Sequence, residues 1–416
     1  MTPSFGVGDT GATPGVVGPA EVRRGLAALS DLVGDVSAFL AQHWAKSPLL
    51  CAGDPARRLL LLSIADVDTL LTERGLRLPA VRVVRDGETV PPARYTTAAR
   101  IGSKPVVDLL DPALLAAQFA AGATISFQGL QRYWQPLTEL CQSLEAALTH
   151  PFQANAYLSP PGATGLAVHH DTHDVFVLQV EGSKHFDVYE PATWLPVAGQ
   201  HWTSDQPPGE PAVSVDLKPG DCLYMPRGWR HRAYTTESHS LHLTIGLLGY
   251  TWLALASVLS SSLADVAEFR EPLPPGFAND PDALTAAVAE RLTALRAWLD
   301  SADPAVIAGT LTRRFVTGRA AAPGGIGALV TELTIAADTP IRRRRFARAL
   351  LRFEGNRVEL VLAGSSVSFP VVASLVLRAI LAADSFTAAD LPDDLDLAGR
   401  LVVVRRLVAE GLLEAG

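Results

Sequence analysis

The chain has 416 residues, of which 48% are hydrophobic and 19% charged; this excludes a disordered protein and suits two or three folded domains. A net charge of −8 means that the molecule as a whole is not a nucleic-acid-binding polycation. Cys51, Cys141 and Cys222 are three, far apart and without CxxC spacing, so neither a disulfide framework nor a zinc ribbon is supported and a reducing cytoplasm is the expected home.

In chain order, residues 1–22 read as a flexible Gly/Pro/Thr tail. Residues 26–50 carry Leu29, Leu32, Val33, Val36 and Phe39 at helical spacing, and 64–72 predicts a second short helix. Strand-like pieces follow at Val81–Val84, closed by an Asp86-Gly87 turn, and at Ala123–Phe127; residues 136–148 predict an amphipathic helix. From Phe152 to Ile245 the period is two, with turns at Pro160-Pro161-Gly162, Glu181-Gly182 and Pro219-Gly220, which suggests an antiparallel barrel or sandwich. The apolar stretch Leu241–Leu259 is broken by Gly246 and Gly249 and reads as a buried strand running into a buried helix, not a membrane span. Beyond residue 250 the pattern is helical, clearest over 283–299, with a Gly/Pro/Ala connection at 318–327. A strand is expected at 358–362 and helices at 371–382 and 401–410.

Eight of the ten histidines lie between His169 and His242, and clustered histidine marks metal or acid–base sites. In Val168-His169-His170-Asp171-Thr172-His173-Asp174, read as a strand, His169 and Asp171 share a face about 7 Å apart. A second segment, Pro219-Gly220-Asp221 through Pro226-Arg227-Gly228-Trp229-Arg230-His231, supplies a distant imidazole after a tight turn. Two histidines and one carboxylate on a β-scaffold form the facial set of non-haem Fe(II) oxygenases. His173 has the same strand parity, but three successive ligands would span about 13 Å, too far for one ion; it is read as lining the substrate mouth. His239 and His242 read as satisfied core histidines, with a supporting role near the metal as the alternative.

The second segment resembles cupin motif two. The first, with Asn155-Ala156-Tyr157 before it and Asp174–Gln179, Glu181, Gly182 and Lys184 after it, resembles the JmjC-type cupin oxygenases, and among them the bacterial ribosomal-oxygenase-like proteins. The resemblance covers residues 152–246 at motif level and extends loosely over 25–416. It implies an α+β chain with a double-stranded β-helix (jelly-roll) core at 23–250 behind N-terminal helices. A helical dimerisation segment at 251–345 and a winged-helix-like domain at 346–416 would follow. It implies Fe(II) held by His169, Asp171 and His231, with 2-oxoglutarate as co-substrate. Lys184 would bind the distal carboxylate, Asn155 would line the co-substrate pocket, and no catalytic residue is implied beyond the metal centre. The implied activity is hydroxylation of a polypeptide side chain, with a ribosomal protein as the suggested substrate and a homodimer as the working form. An oxygenase of small molecules or peptide natural products and a non-catalytic metal-binding module stay open. The basic run Arg342–Arg345 has two readings, RNA contact or, preferred, a helix pairing with acidic residues at an interface.

Overall fold

The computed structural model describes residues 15–200, 208–319, 326 and 335–416. The first fourteen residues, His201 and Trp202, and most of the 318–327 connection lie outside the described residues. The chain divides into two units, Pro19–Gly249 and Tyr250–Gly416, the second including residues 15–18.

The first unit opens with a helix at Pro19–Val33, so the stretch expected as tail is already helical at its end. The helix expected over 26–50 is two: Gly34 takes a positive φ of 74°, and Asp35 caps a new helix, Val36–Gln42, by accepting from the Ser37 and Ala38 amides. The helix Ile64–Glu73 is begun by a capping box between Ser63 and Asp66. The helix Gln135–Leu148 buries Leu137, Cys141 and Leu144 at helical spacing.

The strands of this unit are, in chain order, β1 (Leu49–Cys51), β2 (Val81–Arg85), β3 (Glu88–Thr89), β4 (Thr96–Ile101), β5 (Lys104–Leu110), β6 (Thr124–Phe127), β7 (Phe152–Ser159), β8 (Asp174–Gly182), β9 (Lys184–Tyr189), β10 (Val213–Leu217), β11 (Cys222–Met225), β12 (Arg230–Tyr234) and β13 (Ser240–Leu247). Eight form one antiparallel sheet in the order β1-β11-β8-β13-β7-β6-β2-β3; three form a second, β10-β9-β12; β4 and β5 pair as a hairpin. This is the expected jelly-roll arrangement of two sheets. Val175 and Val177 of β8 and Leu223 and Met225 of β11 pack against Phe186 and Val188 of β9 between the sheets. The opposite face of the large sheet, through Phe176, Leu178 and Leu243, joins Leu29, Phe39 and Leu144 of the helices in a single core. β8 and β13 are therefore buried on both faces, which explains the continuous apolar run Val175–Leu178 of β8, while β13 alternates Leu241, Leu243, Ile245 and Leu247 with small or polar residues.

The second unit holds helices at Leu253–Leu263, Pro281–Ser301 and Pro304–Thr317, then two three-stranded sheets and helices at Ser374–Ala382 and Leu397–Ala409. Val358, Leu360, Val376, Leu377, Val404 and Leu407 share its core. Two expectations are corrected here. The helix Leu253–Leu263, read as buried, buries only Val258. Arg342 and Arg343 lie on a strand, Ile341–Arg343, not on a helix. Strand alternation turns Arg343 inward, where it donates to the Val16 and Ala347 carbonyls, while Arg342 and Arg344 both reach Glu414. The run thus offers no row of four cations to solvent. No helix among the described residues is long and apolar enough to cross a membrane.

Candidate metal centre

His169, Asp171 and His231 converge. One donor atom from each lies within 4.8 Å of the others, and His231 Nε2 stands 3.9 Å from Asp171 Oδ2. The route differs from the one expected, because residues 168–173 are not a strand and β8 begins only at Asp174. Instead a single antiparallel bridge ties His169 to His231 on β12. Gly228 N donates to the Asp171 carbonyl at 3.0 Å, fixing the segment beside the turn that precedes His231. The parity argument chose a pair that the chain does bring together, on a geometry that it does not adopt.

Each imidazole is oriented from behind. His169 Nδ1 lies 2.9 Å from the Ala167 carbonyl and His231 Nδ1 3.3 Å from the Trp229 carbonyl. A carbonyl can only accept, so Nδ1 carries the proton in each ring and Nε2 keeps its lone pair. Burial, then the neighbouring His169, pushes the His231 pKa down to about 4, which favours the neutral form that a cation needs. Two imidazoles and a carboxylate suit a divalent first-row metal.

His169, Asp171 and His231 line a cavity of about 640 Å³ that also contains Lys184, Tyr157, His242, Arg82, Thr124, Ser126 and Gln128, with Val175, Val177, Phe186 and Met225 as apolar wall. Lys184 is only 4% exposed and donates to Ser159 Oγ at 3.0 Å, which shares a 2.9 Å hydrogen bond with Thr124 Oγ1. Lys184 pairs with no carboxylate among the described residues, and burial pushes its pKa down to about 8. Its inward direction comes from Gly182, whose φ of 65° turns the chain between β8 and β9. Lys184, Phe186 and Val188 then alternate onto the inner face.

Asn155 lines a smaller adjoining cavity of about 250 Å³ with His173, Asp171 and Gln153, not the one that holds Lys184. Its Oδ1 accepts from the Gly129 amide and from Gln153 Nε2. His173, next to Asp171 in that smaller cavity, stands apart from the three converging groups. His170 turns away, its Nε2 2.9 Å from the Gln200 carbonyl. His242, expected as a satisfied core histidine, lines the larger cavity. It stacks on Tyr157 at 5.0 Å, and its buried Nδ1 has no hydrogen-bond partner among the described residues. Burial and the Lys184 charge hold it well below the usual imidazole pKa.

The sequence reading missed Tyr157 as a cavity group and Ser159 as the partner of Lys184. Both share the period-two parity of Asn155 on β7, and that signal was available.

The match to known proteins follows this geometry. Residues 127–255 match the family model described as a JmjC domain. The chain carries a JmjC domain. Around this JmjC domain, the chain is 32% identical over 228 residues to the bifunctional lysine-specific demethylase and histidyl-hydroxylase NO66 of Drosophila persimilis, covering 54% of this chain and 32% of that protein. It is 32% identical over 247 residues to ribosomal oxygenase 1 of Gallus gallus, covering 57% and 40%. The chain thus spans less than half the length of these curated relatives. The crystal structure of Escherichia coli ribosomal oxygenase YcfD superposes over 92% of this chain and 99% of its own, with a TM-score of 0.54 at 17% identity. The same protein in complex with cobalt and 2-oxoglutarate gives a TM-score of 0.53 at 18% identity. At that identity the likeness shows the fold.

Proposed function

We propose that this chain is an Fe(II)- and 2-oxoglutarate-dependent hydroxylase of a polypeptide side chain, with a ribosomal protein as substrate, as the names of its relatives indicate. The observation that carries the reading is Lys184, an ammonium buried in the cavity of His169, Asp171 and His231 with only a hydroxyl as partner among the described residues. A desolvated cation without a counter-ion calls for an anionic ligand, and a dicarboxylate reaching from the metal to Lys184 supplies one.

In this reading His169, Asp171 and His231 hold the iron, and Lys184 with Ser159 and Thr124 anchors the distal carboxylate. Bound iron with 2-oxoglutarate supplies the oxidising chemistry that converts O₂ and a C–H bond to a hydroxyl, with succinate and CO₂ as co-products. Val175, Val177, Phe186 and Met225 exclude water, while His173 and Asn155, in the adjoining cavity beside Asp171, face the incoming side chain. The same proposal includes a cytoplasmic location, the division of the second unit near residue 345 with a winged-helix-like end, and a homodimer through the helices of 251–345. Supporting the dimer, the helix Pro281–Ser301 buries no residue, and Val288, Leu292 and Leu299 are exposed.

The test is succinate formation from 2-oxoglutarate by the iron-loaded, aerobic protein, followed by mass spectrometry of ribosomal proteins for one added oxygen. Failure to convert 2-oxoglutarate in the presence of those proteins overturns the reading. An added oxygen on a small molecule in place of a protein would move the substrate class and keep the chemistry.

A further inference from the structure

Between Arg74 and Lys104 the sequence carries seven basic residues against Asp86 and Glu88, a local surplus of five in a chain of net charge −8. All seven are exposed. They lie before β2 (Arg74, Arg77), on β2 (Arg82, Arg85), on the short turn before β4, and at the tip of the β4–β5 hairpin (Arg100, Lys104). None of the seven pairs with a carboxylate among the described residues. Elsewhere in the molecule exposed arginines do pair, among them Arg57 with Asp31, Arg232 with Asp187 and Arg342 with Glu414. A chain with acids to spare has left this strip uncompensated.

The strip is joined to the cavity of the metal centre. Arg82 lines it, together with Leu78 and Pro79. The hairpin is bound at its base to that same segment, Leu78 N donating to the Asp108 carbonyl and Leu110 N to the Leu76 carbonyl. From there nine of the thirteen residues of β4 and β5 are exposed, including Ile101 at 75%. Exposed cations therefore stand at the cavity wall, on the strand that flanks it and at the tip of the hairpin tied to it.

We propose that this basic rim is a docking surface for RNA, so that the substrate polypeptide is met while bound to its RNA. The inference rests on the reading of the chain as a hydroxylase of a ribosomal protein and names the form of that substrate. A free polypeptide built to bind RNA is itself rich in Lys and Arg, and the rim would repel it. Phosphates around a bound polypeptide are attracted to the same rim, and guanidinium groups match phosphate oxygens in pairs.

The experiment uses the full chain and a fluorescein-labelled oligouridine, with anisotropy read between about 50 and 200 mM salt. The comparison protein carries Arg85→Gln, Arg94→Gln, Arg100→Gln and Lys104→Gln, four exposed residues outside the cavity. Wild type is expected to bind with log K falling linearly against log salt, and the variant to bind more weakly with a slope smaller by up to about 3. Uncoupled turnover of 2-oxoglutarate should stay the same in both proteins, which also shows that the variant is folded. No binding by wild type at low salt, equal binding by the variant, or tighter binding of polyglutamate than of oligouridine overturns the proposal, the last in favour of an acidic protein partner. Loss of RNA binding beside intact turnover would remove this inference alone. RNA binding without turnover in either protein, even with ribosomal proteins present, would keep the RNA surface and remove the hydroxylase reading.

Discussion

His169 and His231 are hydrogen-bonded to each other through their backbones in both directions, His231 N to His169 O at 2.8 Å and His169 N to His231 O at 3.1 Å. Their rings lie 4.4 Å apart. Two imidazoles from distant parts of the chain are thus set by main-chain geometry, before any metal contributes.

That arrangement makes a prediction about the side chains. Because the bridge uses only the backbone, His169→Ala or Asp171→Ala should leave the fold intact and weaken metal binding by more than about 100-fold, since even outer-shell changes cost up to that. Metal content after dialysis and far-UV circular dichroism check the two halves. Full metal retention in both variants would rule out this ligand set.

Lys184 gives a prediction in which loss of function raises stability. Its pKa falls from 10.5 to about 8 on burial, so the unfolded chain binds more protons between those values and stability rises with pH across that window. Below about pH 8 the buried charge carries its whole cost. In ligand-free protein, Lys184→Met is expected to raise the thermal midpoint near pH 7, with the gain shrinking as the pH climbs above 8. The same variant should lose 2-oxoglutarate binding by calorimetry. A lower midpoint near pH 7 would contradict the account.

Gly182 is expected to tolerate no side chain. Its φ is positive, and a Cβ built there would run into the His239 carbonyl oxygen. Gly182→Ala should cost about 2 kcal/mol or more in a urea titration. It should also weaken 2-oxoglutarate binding, because the turn sets which face of β9 carries Lys184. An alanine variant of wild-type stability and affinity would show that the turn adapts.

How much of this was legible in the sequence depends on the range of the interaction. The capping box at Ser63 and the alternation of β7 and β13 are local, and local patterns are written in neighbouring residues. The break at Gly34 was written there too, but the apolar spacing on either side concealed it. The segment 168–173 misled for the opposite reason. Its residues have strand-like spacing, but its conformation is set by a bridge to β12 and by the Gly228 amide, and a window of neighbours contains neither partner.

The chemistry of the site was therefore determined by the sequence alone: His169, Asp171, His231 and Lys184 are there as residue types whose donors suit a metal and an anion. Tertiary structure decided three things. The two-sheet core made Lys184 a buried cation with no counter-ion among the described residues, since only burial removes the water that would satisfy it. It separated Asn155 and His173 into an adjoining cavity. It also turned Arg343 inward and left the Arg74–Lys104 strip outside, because exposure, unlike charge, belongs to the fold and cannot be read from composition.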